Sequence, residues 1–185
     1  MQAQFRSVWL PGIQTMSRIR LGKAIAGIAL MGSVSIACAA HADEPGKFLG
    51  DAIQDGRAEI QSCQLALRTS SDPSVQAFAK RMIADHESLD ARIETLAQRK
   101  GYTLPDGISM TQQATQTVLK PLTGHAFDLA FMKHNVSDHE ADIKQFSEEA
   151  QKGSDADVRS LAAGALPTLQ EHLKLAEQTQ AKVKR

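Results

Sequence analysis

The chain has 185 residues, with 21 Lys and Arg against 21 Asp and Glu, so its formal net charge is zero, and aromatic residues make up only 4% of it. No basic excess exists to track a phosphate backbone, which argues against a nucleic-acid partner. The length suits a single domain with a core of its own.

Residues 1–42 read as a secretory signal peptide. Arg18, Arg20 and Lys23 precede an apolar run from Ala24 to Ala37, and Ala40-His41-Ala42 supplies small residues for cleavage. That run is too short to cross a bilayer, which takes about 20 apolar residues. Both Met1 and Met16 stand as candidate starts, and from Met16 the leader has ordinary proportions. Cys38 is a candidate lipidation site, but Ser35 stands where such sites prefer Leu, so cleavage after Ala42 and a periplasmic location are the expectation. Four of the basic residues (Arg6, Arg18, Arg20 and Lys23) then leave with the leader while all 21 acidic ones stay, so the mature chain, Asp43 to Arg185, carries a net charge of −4. Nothing in those 143 residues forms a transmembrane segment. Removal of Cys38 leaves Cys63 alone, which excludes an intramolecular disulfide. Its place on an apolar stripe between Ile60 and Leu67 reads as that of a buried, inert thiol.

The mature sequence shows helical periodicity broken by short polar joints, and no alternating strand pattern. The first helix is expected from about Gly46 to Arg68. Asp72 caps the second, Pro73 fills its first position, and Gly101 ends it after Lys100. Tyr102 to Ser109, with Pro105 and Gly107, is a crossover loop leading into a short helix from about Met110 to Leu119, which Pro121 ends. A third long helix runs from near Thr123 to near Gln151. After the joint Gly153-Ser154-Asp155 a fourth continues to the basic C-terminus, with Pro167 bending it. The fold class is all-α: an antiparallel four-helix bundle with a short extra helix in its crossover.

A helix turns about 100° per residue, so steps of three and four share a face. On that face the second helix reads Val75, Ala79, Met82, His86, Leu89, Ile93, Leu96; the third, Asp128, Met132, Asn135, His139, Asp142, Phe146; the fourth, Val158, Ala162, Ala165, Leu169, His172, Ala176. Three histidines thus fall on three apolar stripes. Buried imidazoles need partners, because an unpaired buried polar group costs about 1–3 kcal/mol. Imidazole and carboxylate together suit zinc, copper, iron or manganese. Glu59, His86, His139 and His172 are the candidate ligands, with Asp85, Asp142 and Glu171 as alternative ligands or as acceptors behind the rings. Asp128 lies about 16 Å along the helix from His139, too far to share its ion, and is expected to hydrogen-bond a neighbouring helix or a cap. His125 and His134 are expected in solvent, and His41 leaves with the leader.

Two internal repeats support the cluster. Phe78-Ala-Lys-Arg-Met-Ile-Ala-Asp85-His86-Glu87 parallels Phe131-Met-Lys-His-Asn-Val-Ser-Asp138-His139-Glu140. In a second register Ser71 to Ala79 parallels Ser154 to Ala162, which pairs Glu59 with Asp142 and, with three extra residues around Pro167, His86 with His172. Each hairpin then offers one carboxylate and one imidazole.

Gly56-Arg-Ala-Glu59, Phe78 to His86, Gly124-His-Ala-Phe-Asp128 with Val136-Ser-Asp-His139, Leu166 to His172 and the turn Lys100-Gly101-Tyr-Thr-Leu-Pro105 together resemble the exported bacterial family called domain of unknown function 4142, often labelled outer-membrane proteins. The resemblance covers nearly all of the mature chain. It implies a ferritin-like bundle and an envelope location but no reaction. Di-iron bundles carry Glu-x-x-His pairs; here Ile83, Val136 and Leu169 precede the three histidines by three, which favours one ion over two. Two readings follow: an exported bundle binding one zinc, copper or iron ion for metal buffering or envelope stress, or a metal-free structural or adaptor protein whose buried His and Glu fix helix register. An envelope protein partner and the oligomeric state stay open. No catalytic nucleophile, phosphate loop or cofactor fingerprint is present.

Overall fold

The structure, a computed structural model, describes residues 44–185. The expected signal peptide, with Cys38, His41 and both candidate starts, lies outside them. Five helices and no strand occur among the described residues: α1 Glu44–Thr69, α2 Pro73–Lys100, α3 Met110–Leu119, α4 Gly124–Lys152 and α5 Ala156–Val183. None is long and apolar enough to cross a membrane.

Local chemistry sets the boundaries where the sequence places them. Asp72 Oδ1 accepts from the backbone N–H of Ser74 at 2.7 Å and Val75 at 3.2 Å, relieving two of the donors that a helix start leaves unpaired. Gly101 closes α2 in the left-handed region at φ 76°, where a Cβ would be strained. Ser109 and Gln112 form a reciprocal capping box at the start of α3. Asp155 caps α5, and the same carboxylate takes the Lys100 ammonium at 2.8 Å, tying the end of α2 to the start of α5. The helix assignment of α5 is continuous across Pro167.

The three-residue joints after α1 and α4 fold each pair back on itself, making two hairpins. The hairpins meet with α2 along α5 and α1 along α4. Phe48 lies edge-on to Phe146 at a ring-centroid distance of 5.0 Å, while further along Glu59 faces His139, so α1 and α4 run in opposite directions. Lys100 against Asp155 and Asp85 against His172 say the same of α2 and α5. The crossover helix α3 lies on α1 and α4.

The core is divided along its length. One apolar cluster includes Leu49, Ile53, Ile93, Phe146, Val158 and Leu169; the other includes Cys63, Phe78, Met82, Phe127, Phe131 and Met132. Cys63 is a free, fully buried thiol. Between the clusters every long helix contributes buried polar side chains: Glu59 from α1, His86 and Asp90 from α2, Asn135, His139 and Asp142 from α4, His172 from α5. The predicted α4 and α5 stripes are buried throughout. In α2 the stripe shifts by one residue, since Leu89 is half-buried and Asp90 is buried in its place.

Truncating Phe146 to Ala should lower stability by about 3–5 kcal/mol, whereas Asp72→Ala should cost about 1 kcal/mol by removing a cap. Urea midpoints at unchanged slope read both, and a Phe146→Ala protein as stable as the parent would contradict this packing.

Candidate metal centre

Glu59, His86, His139 and His172 come from four helices and meet in the polar layer. All are buried, with exposures of 4%, 3%, 0% and 1%. One ring nitrogen from each histidine lies within 4.8 Å of the other two. Glu59 is not part of that group. Its Oε2 stands 2.6 Å from His86 Nε2 and its Oε1 3.3 Å from His139 Nδ1, so it faces the outer edges of two rings.

The outer partners determine where the protons sit. His139 Nδ1 lies 2.8 Å from the Asn135 carbonyl, an acceptor only, so this nitrogen carries the hydrogen and donates. Asn135 is held in turn by its Nδ2, which donates to the Phe131 carbonyl at 2.8 Å. His172 Nε2 donates to Asp85 Oδ2 at 2.9 Å. In the neutral rings the remaining nitrogens, His139 Nε2 and His172 Nδ1, both present lone pairs, and they face each other at 3.3 Å. Two lone pairs at that distance repel unless a proton or a metal cation lies between them. His86 adds a third ring: its Nε2 lies against Glu59 Oε2, and its Nδ1 meets no protein partner.

Burial alone would raise the Glu59 carboxyl, but the imidazoles of His86 and His139 outweigh it and hold it down at about 2. Burial lowers His86, yet the Glu59 carboxylate overrides it and the net shift is upward. Burial dominates at His172 and brings it down to about 4, despite its bond to Asp85. Asp85 is itself lowered: burial opposes this, but the bonds from His172 and from Arg81 prevail. At neutral pH the layer therefore holds an anionic Glu59 and a neutral His172 whose inward nitrogen is available as a ligand.

The other sequence candidates separate. Asp85 occupies the acceptor position behind His172. Asp142 is buried, with its carboxyl raised well above the usual range by burial and by Glu59 and Asp55. It makes no bond to His172, whose outer nitrogen is taken by Asp85. Glu171 faces solvent beside Lys174 at 3.6 Å, because one residue of helix turns it about 100° away from His172. Asp128 is buried, and its Oδ1 receives no hydrogen bond among the described residues. His125 is exposed as expected. His134 is not: it is half-buried with Nε2 2.9 Å from Asp138 Oδ2.

Asp90, one turn beyond His86, is a further member of the layer. Burial raises its carboxyl to about 6 against the pull of His86 and Arg57, and its Oδ1 has no hydrogen-bond partner. It packs against Gly56, where a Cβ would collide with the carboxylate. Gly56 thus belongs to the site by making room.

The sequence matches the family described as Domain of unknown function (DUF4142) over residues 33–179. No curated protein sequence matches it. Two solved structures resemble it in fold, "CopM in the Cu(II)-bound form" and "CopM in the Cu(I)-bound form". The first has a TM-score of 0.63 at 15% identity, covering 75% of this chain and 96% of that one. The second has a TM-score of 0.60 at 16% identity, covering 72% and 93%.

A raised carboxyl holds its proton more tightly in the folded protein, so its contribution is fully present below pH 3.8 and is lost as pH rises through about 6. Asp90→Asn should therefore raise the melting temperature at pH 7.5, by roughly 1 kcal/mol of stability after solvent screening, and give no gain at pH 3.5. An equal gain at both pH values would show that the Asp90 charge is not what matters.

Proposed function

The chain belongs to the DUF4142 family, and from that premise we propose that it is an exported helical-bundle protein that binds a single transition-metal ion in its polar layer. The observation that carries the reading is the facing pair of lone-pair nitrogens on His139 and His172, each oriented from behind by a fixed acceptor. Acceptors behind a ring fix its tautomer and raise its basicity, the arrangement found behind metal-bound histidines. His86 supplies the third nitrogen, and Glu59 holds His86 and His139 in place and offsets the charge of the cation. Three imidazoles with no thiolate in the group suit zinc, copper or iron. The two CopM structures carry copper, which makes copper the first ion to test. When bound, the ion would supply positive charge and relieve the opposition of the two facing lone pairs. The layer has no positioned nucleophile, so we read the function as holding the ion, in buffering or in envelope stress, and not as a reaction.

Export rests on the leader pattern of residues 1–42 and on the family resemblance. Analysis of the purified polypeptide by intact mass should find it starting at Asp43.

Protein prepared without an affinity tag or chelator should contain close to one equivalent of copper or zinc. Adding the ion to metal-free protein at a hundred times its dissociation constant should stabilise folding by about 2.7 kcal/mol. The gain should vanish in His139→Ala and His172→Ala and persist in His125→Ala. If the native protein holds no metal and added ions leave its melting temperature unchanged, the buried His and Glu residues serve helix register alone.

A further inference from the structure

A cavity of about 200 Å³ opens between α1, α3 and α4 and ends on Glu59. Four carboxylates line it, from Asp55, Glu59, Asp138 and Asp142, together with His134, and no lysine or arginine does. The burial is graded. Thr111 and Ala141 are exposed at the rim, Asp55 and Asp138 are half-buried, and Asp142 and Glu59 are buried at the floor. Glu59 is the link inward, since its Oε2 lies 2.6 Å from His86 Nε2 and its Oε1 3.3 Å from His139 Nδ1. The crossover helix forms one wall: Gln112 donates to the Asp55 carboxylate and Gln116 Nε2 donates to the Ala58 carbonyl at 3.0 Å.

A second, smaller cavity of about 90 Å³ reaches His86 and His172 from the α2–α5 side. Its chemistry is different. Arg92 lines it, and its one carboxylate, Asp85, is already committed to Arg81 and His172. A cation approaching there meets a guanidinium, whereas on the α3 side four carboxylates of increasing burial outnumber the one imidazole, His134, which is paired with Asp138.

We infer that the acidic cavity between α1, α3 and α4 is the route by which a divalent cation reaches and leaves the histidine centre, with Asp55 and Asp138 gathering the hydrated ion and Asp142 and Glu59 handing it inward. This rests on the metal-binding reading above. Carboxylates outnumber the one imidazole in the lining, and a cleft with an excess of one sign of charge raises the arrival rate of counter-ions by about 10- to 1000-fold, an effect that falls with ionic strength. Carboxylates are suited to passage because their oxygens hold a hydrated divalent ion less tightly than imidazoles hold a transition metal.

The test is stopped-flow transfer of Cu(II) and Zn(II) from a metallochromic indicator to the metal-free protein, with affinity taken from the same titration. Ala141→Trp places a bulky ring at the exposed rim and Thr168→Trp does so at the other cavity; circular dichroism verifies that each is folded. Ala141→Trp should slow loading and release together severalfold and leave affinity nearly unchanged. Thr168→Trp should load like the parent. Asp55→Asn/Asp138→Asn should load more slowly and with a flatter dependence on salt. Parental rates in Ala141→Trp, or slowing in Thr168→Trp instead, overturn the route while leaving metal binding intact. Absence of uptake by the unmodified protein overturns the metal reading itself.

Discussion

The buried carboxylate of Glu59 is the constraint around which the bundle is arranged. Removing an ionised carboxylate from water costs several kcal/mol even after relaxation, unless partners surround it. Glu59 is 4% exposed and no partner is available on its own helix, so compensation comes from His86 on α2 and His139 on α4, with His172 on α5 completing the layer. All four long helices must therefore stop at one axial setting. Sliding one past another by a turn, about 5.4 Å, would still set apolar residues against apolar residues, because both sides of the layer are apolar. It would strand the carboxylate. The apolar clusters supply most of the buried area, and the polar layer selects the register.

The layer is also over-supplied with acid. Asp55, Asp90 and Asp142 all have carboxyls raised by burial, and the Glu59 charge adds to each shift. A protein selected only for stability would replace such groups with apolar ones, and buried ion networks replaced in that way are commonly neutral or stabilising. Their presence together, next to imidazoles whose free nitrogens face inward, is the kind of local conflict expected where function is served at a cost to folding. A cation entering the layer would lessen the repulsion among these acids as well as the opposition of the lone pairs.

Helix boundaries were legible because each depends on chemistry within a few residues: Asp72 before Pro73, Gly101 at positive φ, Ser109 with Gln112, Asp155 before α5. The histidine cluster was legible because periodicity reports which face a side chain occupies. What periodicity cannot report is what covers that face. His134 falls off the apolar line of α4 and still loses much of its exposure, because that side of the helix helps to wall the cavity under α3. Glu171 shows the converse, a carboxylate next to a ligand candidate in sequence that the turn of the helix sends to the surface. Asp90 could have been found, since it lies four residues beyond His86. Its contact with Gly56 depends on the α1–α2 register, which single-helix patterns do not contain.

The repeats sharpen this point, because near-identical local chemistry has divergent results. In α2, Arg81 pairs with Asp85 one residue before His86; in α4, His134 pairs with Asp138 one residue before His139. Each is an i, i+4 cation–carboxylate pair of the kind that supports an isolated helix. Yet Asp85 also reaches across to His172, while Asp138 lines open space. The difference lies in the neighbours. At Asp85 the adjoining helix is α5, which presents an imidazole at bonding distance. At Asp138 the adjoining space is bounded by α3, whose Gln112 and Gln116 bond to α1 instead. The crossover breaks the symmetry of the two hairpins, turning one aspartate into a ring-orienting acceptor and leaving its repeat partner facing an acidic cleft.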